Sequence, residues 1–399
     1  MKVLHTSDWH LGQSFYEHDR SEEHQLFLNW LIDVLVQQQI DVLLISGDIF
    51  HTATPPASAE KQLYTFIQSA SFKCPDLHIV LIAGNHDSAN RIETAKPLLT
   101  SFNTHVIGRF DKLAPEQVVL DLMVGKQHMH VVAMPFLRSA DLPKPEDDAF
   151  DYQIGVQLAY QKAKETIKEV QGPIILMGHL HAKGGSISED SERNLNIGGF
   201  DAVSATVFGE QFDYVALGHL HKAQSVAKQT AIRYSGTPLP MSFSERNYKH
   251  QVLLCDFNEQ GLVDVKPLYV PRFKDVLYIP ELGAKRLAEL CEEIASHDFS
   301  QFDNAPYIRL KLSAAETSSR FRVEVDEALK GKNVKFCGIE RVSEGITTCE
   351  NVFEDLGKVE SLSPNTLLDI AYREIEPEQD TAPASLHDKL AEVIASMEE

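Results

Sequence analysis

The stretch Asp41-Val42-Leu43-Leu44-Ile45-Ser46-Gly47-Asp48-Ile49-Phe50-His51 sets the pattern for the first half of the chain. Its aliphatic run, residues 42–45, reads as a short buried strand. The strand ends on a glycine, which suits a tight exit turn. A carboxylate follows at once, and a histidine three residues later. Working outward, residues 3–4, 78–83, 130–134, 174–177 and 214–217 read as strands of the same kind. Residues 21–36, 58–70 and 155–170 read as helices. In the first of these, Ser21 is placed to cap, Glu22 and Glu23 favour the N-terminal dipole, and Leu26, Trp30, Leu31, Val34 and Leu35 give an apolar stripe. Strand and helix in alternation predict a layered α/β domain with helices over the sheet. Val270-Pro271 closes it, so this domain is assigned to residues 1–271.

A smaller βαβαβ pattern follows over 272–345, with strands at 276–279, 307–312 and 334–342 and helices at 284–296 and 318–329. Residues 346–399 form a tail. Ser363-Pro364 opens a helix to about 373, 376–384 is a polar linker, and 385–397 is an amphipathic helix. The composition sets limits. The chain has 399 residues, 43% of them hydrophobic, enough for more than one packed domain. It contains no apolar run of about 18 residues, so no membrane span is expected. Five cysteines without a CxxC pair fit a reducing cytoplasm rather than a disulfide framework. The net charge of −21 argues at first against a nucleic-acid ligand. Residues 340–399, however, hold 15 acids against four bases, so about half the excess lies in the tail.

Five short motifs carry chemistry: Asp8-Trp9-His10; Gly47-Asp48 with His51; Gly84-Asn85-His86-Asp87; Gly178-His179-Leu180-His181; and Gly218-His219-Leu220-His221. Each follows an expected strand, and loops at the carboxyl ends of strands converge in α/β sheets. Histidine, carboxylate and amide together are ligands for borderline divalent metals. One cation needs about four to six donors, and this set offers about twice that, which points to two metals. Asp48, in the central motif, can bridge them. A metal pair polarises a phosphodiester and stabilises its leaving oxygen, which leaves His86 to protonate that oxygen. Any one histidine among the 17 means little; five motifs at five strand ends mean more. Arg91, Lys96, Arg109, Lys183, Arg193, Lys222, Arg246 and Lys249 are candidates to line a phosphate groove. No feature reads bases, which fits sequence-independent action.

Asp8-x-His10, Gly47-Asp48, Gly84-Asn85-His86-Asp87 and the late Gly-His-x-His resemble the pattern of calcineurin-like metallophosphoesterases. His5–Gln13 and the stretches 214–221 and 234–243 are similar to its DNA-nuclease branch. The resemblance is strong over about 1–257 and architectural beyond. It implies a β-sandwich flanked by helices, a small α/β capping domain, and a helical tail that binds a coiled-coil ATPase subunit. It implies that Asp8, His10 and His221 hold one metal with Asp48, that Asn85, His179 and His219 hold the other with Asp48, and that the metals are manganese. His86 would be the catalytic histidine. His181 and Asp87 have no assigned role and read as turn residues. Many relatives carry an Asp where this chain has His51; without that carboxylate the protonation state of His86 stands open, and His51 becomes a candidate for contacting phosphate. The substrate implied is DNA, and the assembly a homodimer within a heterotetramer, with a helix such as 58–70 as a contact. Two other functions remain open: a phosphatase or phosphodiesterase on nucleotides, and a non-catalytic scaffold subunit. The 140-odd residues beyond the metal domain speak against the first, and the complete ligand set against the second.

Overall fold

The aliphatic runs of the sequence become strands, separated by helices, in a computed structural model. It describes residues 1–144, 151–183, 185–186, 202–209, 211–314 and 321–342, with Tyr372, Pro383, Leu386, His387, Lys389 and Leu390. The expected tail helices at 363–373 and 385–397 lie, apart from those single positions, outside the described residues. So do the start of the helix expected at 318–329 and Arg193.

The chain begins β1 (Lys2–Thr6), β2 (Ser14–Phe15), β3 (His18–Asp19), α1 (Ser21–Gln38), β4 (Val42–Ser46), α2 (Ala57–Lys73), β5 (His78–Ile82). It continues α3 (Ala89–Thr94), α4 (Lys96–Leu99), β6 (Thr104–Ile107), β7 (Val119–Val124), β8 (Gln127–Ala133), α5 (Tyr152–Glu165), β9 (Ile174–His179), β10 (Tyr214–Gly218). Then come β11 (Gln224–Ser225), β12 (Ile232–Tyr234), β13 (Gln251–Asn258) and β14 (Gly261–Tyr269). The last elements are β15 (Val276–Ile279), α6 (Leu287–Ser296), β16 (Tyr307–Ser313), α7 (Phe321–Leu329) and β17 (Lys335–Val342).

The described residues form two six-stranded sheets, β14-β13-β1-β4-β5-β6 and β11-β12-β10-β9-β8-β7. Alternation along the strands stacks them. Val3, Val42, Leu44, Val80 and Ile82 face a core shared with Val131, Ile175 and Val215 of the second sheet. Leu4, Leu43, Ile45, Ile79 and Leu81 face the other way, onto Phe27, Leu31 and Leu35 of α1 and Leu63, Phe66 and Ile67 of α2. Val156, Ala159 and Tyr160 of α5 join the shared core from beyond the second sheet. The result is a β-sandwich with helices outside. β1, β4, β5 and β6 run parallel, as do β8, β9, β10 and β12, so within each sheet their carboxyl ends share one rim.

The start of α1 differs from expectation. Ser21 lies inside the helix and does not cap it; the Asp19 carboxylate accepts the Ser21 backbone N–H at 2.6 Å. The buried stripe is rotated toward Phe27, Leu28 and Ile32, leaving Leu26 and Trp30 partly exposed. Glu23 does not face solvent near the dipole. It is buried and pairs with the fully buried Arg20 at 3.0 Å. Arg20 also donates to the Pro240 carbonyl at 2.7 Å, so the pair ties the helix start to a loop distant in sequence.

β15, β16 and β17 form a sheet of their own, covered by α6 and α7, in the expected βαβαβ order. Its core includes Leu290, Ile294, Ile308, Leu310 and Val325. It seats on the larger body through Phe15, Phe243, Val276, Tyr307 and Cys337. Among the described residues no helix is long and apolar enough to cross a membrane.

Candidate metal centre

All five motifs sit on the rim where the parallel strands end. The loop after β1 is zipped to the loop after β4: the Asp8 N–H donates to the Gly47 carbonyl and the His10 N–H to the Asp48 carbonyl, each at 3.0 Å. The backbone here is forced into shape. Asp8, His10, Asp48 and His219 have φ of 55°, 47°, 47° and 107°, where side chains other than glycine are strained. The glycines permit close approach. A Cβ on Gly47 would lie 2.3 Å from His179 Nδ1, and one on Gly218 would lie 1.9 Å from the Ser46 carbonyl oxygen.

Two groups of three result. The ligand atoms of Asp8, His10 and His221 lie within 4.8 Å of one another, and so do those of Asp48, His179 and His219. Asn85 joins the second group, its Oδ1 standing 3.0 Å from His179 Nε2 and 3.1 Å from His219 Nδ1. Asp48 stands between the groups, its Oδ2 3.3 Å from His179 and 3.8 Å from His10. Every one of the seven candidate ligands is therefore at one place.

The two Gly-His-Leu-His copies end adjacent parallel strands, but out of step. Gly218 pairs with His179, a one-residue offset. The offset brings His179 and His219 together, ring centroids 5.3 Å apart, and sends His221 to Asp8 and His10. His181 stays half-buried, outside both groups.

Burial would raise the Asp48 carboxyl, but His179, His10 and His86 outweigh it and hold it well below the usual range. Burial would lower His179, yet Asp48 and Asp8 push it up to about 9. Asp8, where burial dominates, is pushed up to about 6. Burial holds His10 and His219 well below the usual imidazole range. Neutral imidazole beside carboxylate is the donor state a divalent cation takes. His10 supplies the test of fit: both ring nitrogens are buried and neither has a hydrogen-bond partner. An unpaired buried imidazole is costly, and a cation among these donors removes the cost.

His86 stands against this cluster. Its N–H donates to Asp48 Oδ1 at 2.8 Å, and its Nδ1 lies 2.7 Å from the His51 carbonyl oxygen. A carbonyl only accepts, so Nδ1 carries the hydrogen and Nε2 is the reactive nitrogen. Position 51 thus steers His86 through its main chain. The His51 ring stacks on His86, centroids 5.6 Å apart at 30°. Asp87 is a clamp: its buried carboxylate accepts the N–H groups of Gly84, Ile49 and Phe50 at 2.9, 3.1 and 2.9 Å, joining two motif loops.

The sequence reading missed Glu245. Fully buried, it accepts His221 Nδ1–H through Oε1 and the Met241 N–H through Oε2, both at 2.9 Å. A lone acid on the turn Phe243–Glu245, 24 residues after its partner, leaves no spacing to read. Of the candidate phosphate contacts, Arg91 is paired to Glu60 at 3.0 Å, while Lys222, Arg246 and Lys249 lie over Tyr248, Tyr278 and Tyr269.

Residues 1–223 match the family model of the calcineurin-like phosphoesterases. The chain belongs to that family. Within it, the similarity runs to one kind of protein, the SbcD component of the nuclease SbcCD. The chain is 34% identical over 355 residues to SbcD of Rhodobacter capsulatus, covering 85% of this chain and 87% of that protein. It is 35% identical over 281 residues to SbcD of Escherichia coli K12, covering 68% of each. For the Bacillus subtilis protein of the same name the identity is 33% over 264 residues, covering 64% and 66%.

Proposed function

We propose that this chain is the nuclease subunit of a DNA-processing complex and hydrolyses phosphodiester bonds with two divalent cations, manganese in the cell. The observation that carries the reading is the paired donor set bridged by Asp48, with His10 buried and unpaired inside it. Asp8, His10 and His221 hold one cation with Asp48; Asn85, His179 and His219 hold the other with Asp48. Bound there, the pair supplies positive charge at the phosphate and a nucleophile at neutral pH. His86, its tautomer fixed by the His51 carbonyl, gives a proton from Nε2 to the leaving oxygen. The His51 ring, stacked beside it, contacts the phosphate. The substrates are double-stranded ends, cut exonucleolytically, and single strands and hairpins, cut endonucleolytically, in repair and recombination.

Residues 1–271 carry the chemistry, 272–345 cap the site, and 346–399 bind an SbcC-type ATPase. The relatives' name as one component of SbcCD supports a partner. Phe72, 86% exposed on α2, and Leu98, 74% exposed on α4, support a second copy at this face and a homodimer within a heterotetramer. Cys74, Cys255, Cys291 and Cys337 are free, in keeping with the cytoplasm. The test is manganese-dependent cleavage of hairpin DNA beside hydrolysis of a nucleoside monophosphate. Hairpin cutting is expected; release of phosphate from the nucleotide with the hairpin intact would overturn the reading in favour of a nucleotide phosphatase.

A further inference from the structure

A groove of about 380 Å³ opens beside the metal centre and includes Asn85 in its wall. Its base is built from small residues, among them Ala83, Gly84 and Gly108, which leave room along the rim between the ends of β5, β6 and β8. Three larger side chains project into that space. Phe136, partly exposed, meets His179 edge-on with ring centroids 6.3 Å apart. Arg109 is exposed and donates to Asn90 Oδ1. Arg138 is exposed and pairs with no carboxylate among the described residues.

The acids nearby are occupied. Asp87 is held by three backbone N–H groups. Glu93 lies 3.8 Å from Arg109. Asp141 accepts the Arg138 backbone N–H at 3.2 Å. An aromatic ring with two arginines, opening onto a candidate ligand of a phosphodiesterase centre, is the combination that binds single-stranded nucleic acid. The volume suits one nucleotide.

We propose that this groove is a subsite for the nucleotide next to the scissile phosphate, with its base stacked on Phe136 and its outer phosphate on Arg138 and Arg109. The inference rests on the phosphodiesterase reading and extends it to the hold on one strand. Stacking on a ring is indifferent to base identity, so the subsite grips without reading sequence. Removing either contact weakens substrate binding rather than chemistry.

The test compares two manganese-dependent reactions of the full chain. Bis(p-nitrophenyl) phosphate has a phosphodiester and no nucleotide; a single-stranded oligonucleotide has both. Phe136→Ala and Arg138→Ala should each raise the KM for the oligonucleotide about tenfold. Turnover of the aryl diester should stay within about twofold, which also shows that the variants fold. Inhibition of the aryl reaction by dAMP should weaken by the same factor. Because Phe136 touches His179, Arg138→Gln serves as a second probe away from the ligands. Unchanged oligonucleotide KM and dAMP inhibition in Arg138→Gln and Arg138→Ala would overturn the subsite. A wild-type chain that cleaves neither diester would instead overturn the phosphodiesterase reading.

Discussion

Replacing Glu245 by Gln tests how the centre is held, because it changes two hydrogens and almost no volume. In the native turn both carboxylate oxygens accept, one from His221 Nδ1–H and one from the Met241 N–H, each at 2.9 Å. An amide has a single accepting oxygen, so one of these donors must face an NH2 group. Leaving the buried Met241 N–H unpaired costs about 1–3 kcal/mol. The alternative is for the amide to donate to His221 Nδ1, which moves the imidazole hydrogen to Nε2. The second choice is the cheaper one in the metal-free chain, and it points a hydrogen at the place where His221 would ligate. Binding must then reverse the tautomer at the cost just avoided, which corresponds to a loss of about 10- to 100-fold in manganese affinity. Chelator competition measures it, with urea unfolding of the metal-free proteins as a control. A folded Glu245→Gln chain that binds manganese within about twofold of the native chain would refute the argument.

His86→Ala should remove cleavage by at least about 100-fold while two cations per chain remain, measured by elemental analysis of the purified protein; loss of both cations would make His86 structural. Asp87→Ala strips the acceptor from three buried N–H groups and should destabilise the metal-free chain by about 3 kcal/mol or more in urea unfolding; a change below about 1 kcal/mol would mean that the two loops hold without the clamp. His5 gives a pH signature. Burial lowers it to about 3, so the fold prefers the neutral ring, and that contribution is present above about 6.5 and lost as pH falls toward 3. Gln at position 5 can keep the bonds to Tyr214 Oη and the Leu217 carbonyl without titrating. Between pH 7 and 5 the unfolding free energy of His5→Gln should therefore fall by about 2 kcal/mol less than that of the native chain. Equal slopes would rule out His5 as a source of acid sensitivity.

Much of the centre was legible in the sequence, for a physical reason. Ligands at strand ends need a strand, a tight turn and a donor, and all three are local, as in residues 42–51. What lay beyond that reach was missed. Glu245 meets His221 only because two loops cross in space. Arg20 and Glu23 looked like surface charges at a helix start, since nothing nearby in sequence shows that Pro240 and Tyr307 cover them. The hairpin strand β14 was unread because it is a half-exposed edge with few alternating apolar residues. Position 51 was weighed by its side chain, whereas its carbonyl makes the bond to His86, and main-chain atoms leave no trace in residue type.

The candidate ligands are divided between the two sheets. Asp8, His10, Asp48 and Asn85 follow strands of one; His179, His219 and His221 follow strands of the other. Elsewhere the sheets adhere through aliphatic side chains, which have no directional preference. At this rim charge faces charge across the gap, so cations seated there act as rivets through two plates. The chemistry and the closure of the sandwich would then share one fastening: a chain stripped of metal would be inactive and would also come apart most readily along the edge where its substrate enters.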